Sequence, residues 1–234
     1  MSTPSTYVNL SVADGSTMLA YTAYPENITA STPAIIVLQE AFGVNQHICN
    51  ITDRFAREGY IAIAPELFHR TAPDRFEGLY TDFPAVMPHM QALTPEGLTA
   101  DLQAAYQWLT EQDVDHNTVY SVGYCLGGRV SFLANAVLPL KAAVSYYGGG
   151  LDQLTDYAPN LSGRHLFYWG GKDQHISAET INSIISAVEA AGKDYVNVKF
   201  SYADHGFNCD ERESYNEAAS KEAWALTLAF LKNN

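Results

Sequence analysis

"TVYSVGYCLGGRV", Thr118 to Val130, decides the fold. An apolar run, Thr118–Val122, has the pattern of a buried strand, and Leu126–Val137 has the pattern of a helix. Between them stands Gly123-x-Cys125-x-Gly127-Gly128. A strand-to-helix turn tight enough to lift one side chain into a cleft cannot carry Cβ atoms on both flanks, so glycines two residues before and after Cys125 meet a steric need. Gly128 allows the helix to approach the strand closely. Backbone N–H groups at a helix N-terminus stabilise an anion such as a thiolate. The N–H of Leu126 is placed to receive a developing oxyanion. The plain alternative is a small buried cysteine beside a tight turn, a common fate for this residue type.

Outward from this turn, strand and helix patterns alternate. Tyr7–Val12 and Met18–Tyr24 flank Asp14-Gly15, a hairpin signal. Ala34–Leu38 ("AIIVL") and Tyr60–Pro65 ("YIAIAP") are continuous apolar runs, as expected of strands buried on both faces. Gln46–Glu58 is helical and stops at Gly59. Leu98, Leu102, Ala105 and Leu109 mark one face of a helix begun at Pro95. Lys141–Tyr146, His165–Trp169 and Tyr195–Tyr202 are further strands. Ile181, Ile184, Ile185 and Val188 define a helix stopped at Gly192, and Glu213–Leu231 closes the chain as a helix. The pattern predicts one α/β domain over residues 1–234, with a mostly parallel, doubly wound sheet and an antiparallel N-terminal hairpin. Residues 66–95, with four prolines and no clear periodicity, are a loop-rich excursion. It is either a pocket wall or an ordinary packed loop with a short helix.

Composition narrows the function. The 234 residues are 47% hydrophobic and 17% charged, which is globular, and the formal net charge of −13 would repel nucleic acid and anionic lipid. The N-terminus shows no basic-then-apolar leader, and no apolar run approaches the roughly 20 residues of a membrane span. The three cysteines, Cys49, Cys125 and Cys209, are scattered and odd in number, so a disulfide framework is not expected and a cytoplasmic setting is. No metal-ligand spacing and no phosphate-loop fingerprint occurs, and neither metal nor cofactor is expected. The expected partner is a small molecule, and the chain is expected to be a monomer or homodimer.

A nucleophilic cysteine needs a base, and the base an orienting group. In an open α/β sheet, ligands gather at the carboxyl ends of strands, and the chain order is nucleophile, acid, histidine. Three histidines follow Cys125: His165, His175 and His205. His165 opens a strand and points into packing or solvent. His205, in "YADHGF", lies just past the last strand. Asp173, in "HLFYWGGKDQH", lies past the strand before it, with His175 two residues on as a competitor. Asp173 could instead be a turn or cap acid, and His205 a surface histidine. Glu40, in "IIVLQEAFG", sits at another strand end. It is either a solvated strand-end glutamate or a carboxylate near the thiol, holding its proton at rest or taking it when substrate arrives. The Ala41 N–H is placed as a second oxyanion donor.

"LQEAFGVN", "GYCLGG", "SYYGGG", "GGKD" and "DHGF" together resemble the dienelactone hydrolases, the carboxymethylenebutenolidase family of α/β-hydrolases. The resemblance spans the whole chain. It implies a Cys125–His205–Asp173 triad and an acyl-enzyme, with Glu40 activating the thiol and Leu126 and Ala41 forming the oxyanion hole. Phe42 and Tyr147 would line the pocket. Enzymes of this family that act on dienelactone hold the substrate carboxylate with arginines. One falls four residues after the histidine, where this chain has Cys209. The other falls in the excursion, whose only arginines are Arg70 and Arg75, and Arg212 could substitute from the next turn. The resemblance therefore implies a hydrolase of esters or lactones, neutral ones included. The alternatives are a generalist aryl-esterase or phosphotriesterase on the same triad, a non-catalytic small-molecule binder, and a redox-sensing thiol.

Overall fold

A computed structural model describes residues 4–112 and 114–234. The expected domain over 1–234 thus includes four positions outside the described residues. The chain divides into two compact units, residues 1–120 and 121–234.

The first unit opens with β1 (Ser5–Ser11) and β2 (Thr17–Ala23), paired antiparallel from Ser5 opposite Ala23 to Ser11 opposite Thr17. Gly15 turns this hairpin at φ 86° in open space. β3 (Ala34–Leu38) and β4 (Ile61–Pro65) are buried at every residue and run parallel, while β2 pairs antiparallel with β4. Their unbroken apolar sequence follows from that two-sided burial.

Three helices belong to this unit. α1 (Gln46–Arg57) is capped by Asn45, whose side chain accepts the Ile48 N–H, and buries Ile48, Ile51 and Phe55. α2 (Phe83–Gln91) is capped by Asp82 and lies within the excursion. Prolines at 84 and 88 and a single fully buried side chain, Val86, hid its period from sequence reading. α3 (Pro95–Thr110) begins at the Thr94 cap and buries Leu98, Leu102, Ala105 and Leu109, each worth roughly 1.5–3 kcal/mol for the larger side chains. It also buries Asp101.

The division between units falls inside β5 (Val119–Tyr124), a fully buried strand two residues longer at its end than the apolar pattern indicated. The strand order is β1-β2-β4-β3-β5-β6-β7-β8. In the second unit β6 (Ala142–Tyr146), β7 (Arg164–Gly170) and β8 (Tyr195–Phe200) pair in parallel, in register from Ala142 with Arg164 and from His165 with Tyr195. α4 (Leu126–Val137) follows β5, a 3-10 helix (Leu151–Asn160) follows β6, and α5 (Ala178–Ala190) follows β7.

Several element ends differ from the sequence expectation, those of β8 and α6 among them. β8 stops at Phe200, where a turn carries the chain toward His205. The last helix, α6, runs Glu217–Lys232 and not from Glu213, because the Asn216 side chain accepts the Ala219 N–H and starts it there. The fold class is the expected one, a mostly parallel α/β sheet with an antiparallel start.

Candidate active site

Cys125 occupies the junction of β5 and α4 with φ 53° and ψ −114°, outside the regions a non-glycine residue favours. Such strain persists where the surroundings over-determine it, and it clusters at functional sites. Here the surroundings are visible. The Cys125 N–H donates to Tyr146 O at 3.0 Å, tying the turn to β6. A Cβ on Gly123 would lie 1.8 Å from Gly127 O, and one on Gly128 would lie 2.7 Å from Tyr146 O. Both glycines are therefore required by contact. Leu126 is the first residue of α4, so its N–H has no partner within the helix.

A buried set of polar bonds braces α4 from behind. Ser145 Oγ donates to Gly128 O at 2.6 Å, which leaves it to accept from His165 Nε2 at 2.8 Å. Asn135 Nδ2 reaches His165 Nδ1 at 3.3 Å. His165 is fully buried, and burial pushes its imidazole down to about 3, so it stays neutral. Of the two fates the sequence left open for His165, packing is the observed one. Nothing in the sequence signals the bracing role, because its partners are 20 and 30 residues away.

His205 and Asp173 meet Cys125 from the ends of β8 and β7. His205 Nε2 is 3.1 Å from Cys125 Sγ, and His205 Nδ1 is 2.8 Å from Asp173 Oδ2. The other Asp173 oxygen accepts the backbone N–H groups of His175 at 2.7 Å and Ile176 at 3.2 Å. Burial pushes the Asp173 carboxyl up. Its bonds from His205 and from those N–H groups outweigh burial and hold it below the usual carboxylate range. Burial opposes charge on His205, but the neighbouring Cys125 sulfur and the Asp173 carboxylate push it up to about 10. Ser177, not Asp173, caps α5, its side chain accepting the Thr180 N–H. His175 is exposed, with its ring centroid 5.2 Å from that of His205. Tyr147 is fully buried at φ 38°, its ring 5.1 Å from His205.

The remaining candidates lie in the first unit. Glu40 is fully buried and bridges to Gly43. Ala41 and Phe42 are buried under the excursion: Phe42 meets Tyr80 edge-on at 4.7 Å and packs with Val86 of α2. The Gly78 N–H donates to Phe42 O at 2.9 Å. A Cβ on Gly43 would lie 2.0 Å from Phe76 O. Residues 66–95 carry the short helix α2 and pack on the Ala41–Gly43 turn.

Its arginines are engaged. Arg70 makes a two-pronged pair with buried Asp101 at 2.7 and 2.9 Å and a third bond to Asp14 at 2.7 Å, while His69 bonds the same Asp101 at 3.0 Å. The Arg75 guanidinium lies over the Tyr7 ring at 4.2 Å. In the second unit Cys209 is fully buried, and the Arg212 guanidinium lies against Gly206, which sits at φ 78°. Among the described residues no cluster of three or more His, Cys, Asp or Glu could hold a metal ion, and no helix is long and apolar enough to cross a membrane.

Known proteins share this architecture. The model of the dienelactone hydrolase family matches residues 18–234. The "Putative carboxymethylenebutenolidase" of Escherichia coli (strain K12) is 35% identical over 231 residues, covering 94% of this chain and 84% of that protein. The crystal structure of a "Putative Dienelactone Hydrolase" from Klebsiella pneumoniae superimposes with a TM-score of 0.87 at 33% identity, covering 99% of this chain and 100% of that one. A dienelactone hydrolase-like promiscuous phosphotriesterase from metagenomic libraries shares the fold, with a TM-score of 0.84, 21% identity and 98% of each chain covered. With a family match across nearly the whole chain and relatives above 30% identity over most of their own length, the chain belongs to the dienelactone hydrolase family.

Proposed function

We propose that the chain hydrolyses small esters or lactones through an acyl-enzyme on Cys125. Family membership supplies the coarser statement, a hydrolase acting on esters or lactones. The nucleophile and the covalent intermediate are our reading. The observation that carries it is the unbroken series of bonds from Cys125 Sγ through His205 to Asp173, at 3.1 and 2.8 Å.

The chemistry follows from the charges. The Cys125 thiolate attacks the substrate carbonyl carbon, a C–S bond forms, and the carbonyl electron pair moves onto oxygen. The Leu126 N–H receives that oxyanion. Collapse breaks the bond to the leaving oxygen, which takes the proton from His205 Nε2. In a lactone the leaving oxygen stays tethered and the ring opens. The thioester carries no charge, so the share of the attraction that Cys125 supplied is gone while Asp173 stays, and the imidazole shifts down from about 10. His205 is then neutral when its second task begins. It removes a proton from water, the hydroxide attacks the thioester, and breaking the C–S bond restores the thiolate beside an imidazolium. Asp173 keeps the ring oriented through both steps.

The further roles of Glu40 in activating the thiol, of Ala41 as second oxyanion donor, and of Phe42 and Tyr147 as pocket residues rest on the resemblance. The burial of all four supports built rather than solvated positions. One fold neighbour is a promiscuous phosphotriesterase, which makes phosphotriesters a second substrate class for the same thiol. The test is turnover of an activated neutral aryl ester, an anionic lactone and a phosphotriester by wild type and Cys125→Ala. Loss of turnover in the variant is expected, and undiminished turnover refutes the nucleophile.

A further inference from the structure

His175 stands two residues after Asp173, in the turn leading to α5. That turn does two things at once. Its backbone N–H at 175 donates to Asp173 Oδ1 at 2.7 Å, and its side chain stands an imidazole T-shaped to that of His205, with centroids 5.2 Å apart and planes at 76°. This spacing is within the range in which aromatic pairs attract. A second ring, Tyr147, meets His205 at 5.1 Å and 56°. Both nitrogens of His205 are already engaged, by Asp173 and Cys125, so the two rings act on the remainder of the imidazole.

The two rings differ in origin. Tyr147 is fully buried and held by the core. His175 is exposed, and among the described residues no hydrogen bond or ion pair holds its ring. The contact with His205 is what it has. The other ionisable groups around His205 are Cys125, Asp173, Asp204, which accepts the His205 N–H, and Arg212 against Gly206. None of them is an aromatic ring.

We propose that His175 is a positioning residue for the reaction, whose ring holds the His205 imidazole in line between Cys125 and Asp173 and favours its charged form. This rests on the reading that Cys125 and His205 perform the chemistry. The physical basis is electrostatic. An aromatic ring attracts a neighbouring cation through its quadrupole. The imidazolium gains more from this than the neutral ring does, and the thiolate population rises with it.

The test compares His175→Ala, which removes the ring, with His175→Phe, which keeps a ring but no nitrogen. Two readouts are taken: kcat and KM on a neutral aryl ester, and the pH at which iodoacetamide alkylation of Cys125 reaches half its maximal rate. For His175→Ala, kcat falls by about two- to tenfold with KM within about twofold, the loss expected of one aromatic contact. The alkylation midpoint moves to higher pH. His175→Phe restores both. A His175→Ala enzyme with wild-type kcat and midpoint overturns the proposal, as does a His175→Phe enzyme as impaired as His175→Ala. Alkylation reads the thiol without any ester. If turnover proved independent of Cys125, the proposed function would fall while the midpoint still decided the role of His175.

Discussion

His205 Nδ1 lies 2.8 Å from Asp173 Oδ2, and the opposite oxygen of that carboxylate is fixed by two backbone N–H groups of its own turn. The aspartate cannot rotate away without losing three bonds. Replacing it with Asn keeps the size but removes the charge and presents an N–H where an acceptor is needed. We expect Asp173→Asn to lower kcat by about 10²- to 10⁴-fold with little change in the circular dichroism spectrum. A loss under threefold would show that Asp173 is only a turn residue.

The His205 imidazole, pushed up to about 10, sets the alkaline limit of acylation. The sign is fixed by its role. The charged form is the proton donor, it is nearly fully present up to about one pH unit below that value, and it is lost as pH rises through about 10. The value of kcat/KM should therefore hold through pH 8–9 and fall on approach to 10. An NMR titration of the His205 ring should show the same midpoint, moved to lower pH in Cys125→Ala, where the thiolate is gone. A wild-type midpoint near 6.5 would contradict the charge pairing.

The glycines of the turn are not equivalent to glycines elsewhere. A Cβ on Gly123 meets Gly127 O at 1.8 Å, whereas one on Gly15 meets nothing. Gly123→Ala should cost about 1–3 kcal/mol or more and displace the nucleophile, with a fall in Tm and loss of turnover. Gly15→Ala, strained only by its φ of 86°, should cost about 1 kcal/mol and leave turnover intact. Equal effects of the two would mean that the turn is softer than its contacts indicate.

Asp101 anchors the excursion to α3 by holding both His69 and Arg70. Asp101→Ala removes the His69 bond and two of the three Arg70 bonds, leaving Arg70 its bond to Asp14, so it should cost about 1.5–3 kcal/mol in urea unfolding. A cost under about 1 kcal/mol would place the hold of the excursion elsewhere, for example in the packing of Phe42 on Tyr80.

How far the sequence carried depends on the range of each interaction. β3 and β4 were readable because two-sided burial writes itself as "AIIVL" and "IAIAP". The turn at Cys125 was readable because its steric demand falls on residues two positions away. Cys125, Asp173 and His205 could be read as an order along successive strand ends, while the 3.1 and 2.8 Å bonds joining them became visible only in three dimensions. α2 was not readable, since two prolines and a thin buried face leave no 3.6-residue period. The 3-10 helix after β6 was missed although Leu151, Leu154 and Ala158 recur in it at helical spacing. The bracing of α4 by His165 and the clamp on Asp101 join residues 20 to 32 positions apart, and no local pattern encodes them.

The most direct measurement is of the intermediate itself. The enzyme would be mixed with excess activated aryl ester, quenched in acid within the first turnovers, and digested for mass spectrometry. The account predicts the mass of one acyl group on the peptide carrying Cys125, in thioester linkage released by hydroxylamine, and no such adduct in Cys125→Ala. Steady turnover with no acyl group on Cys125, and equal turnover by Cys125→Ala, would contradict it.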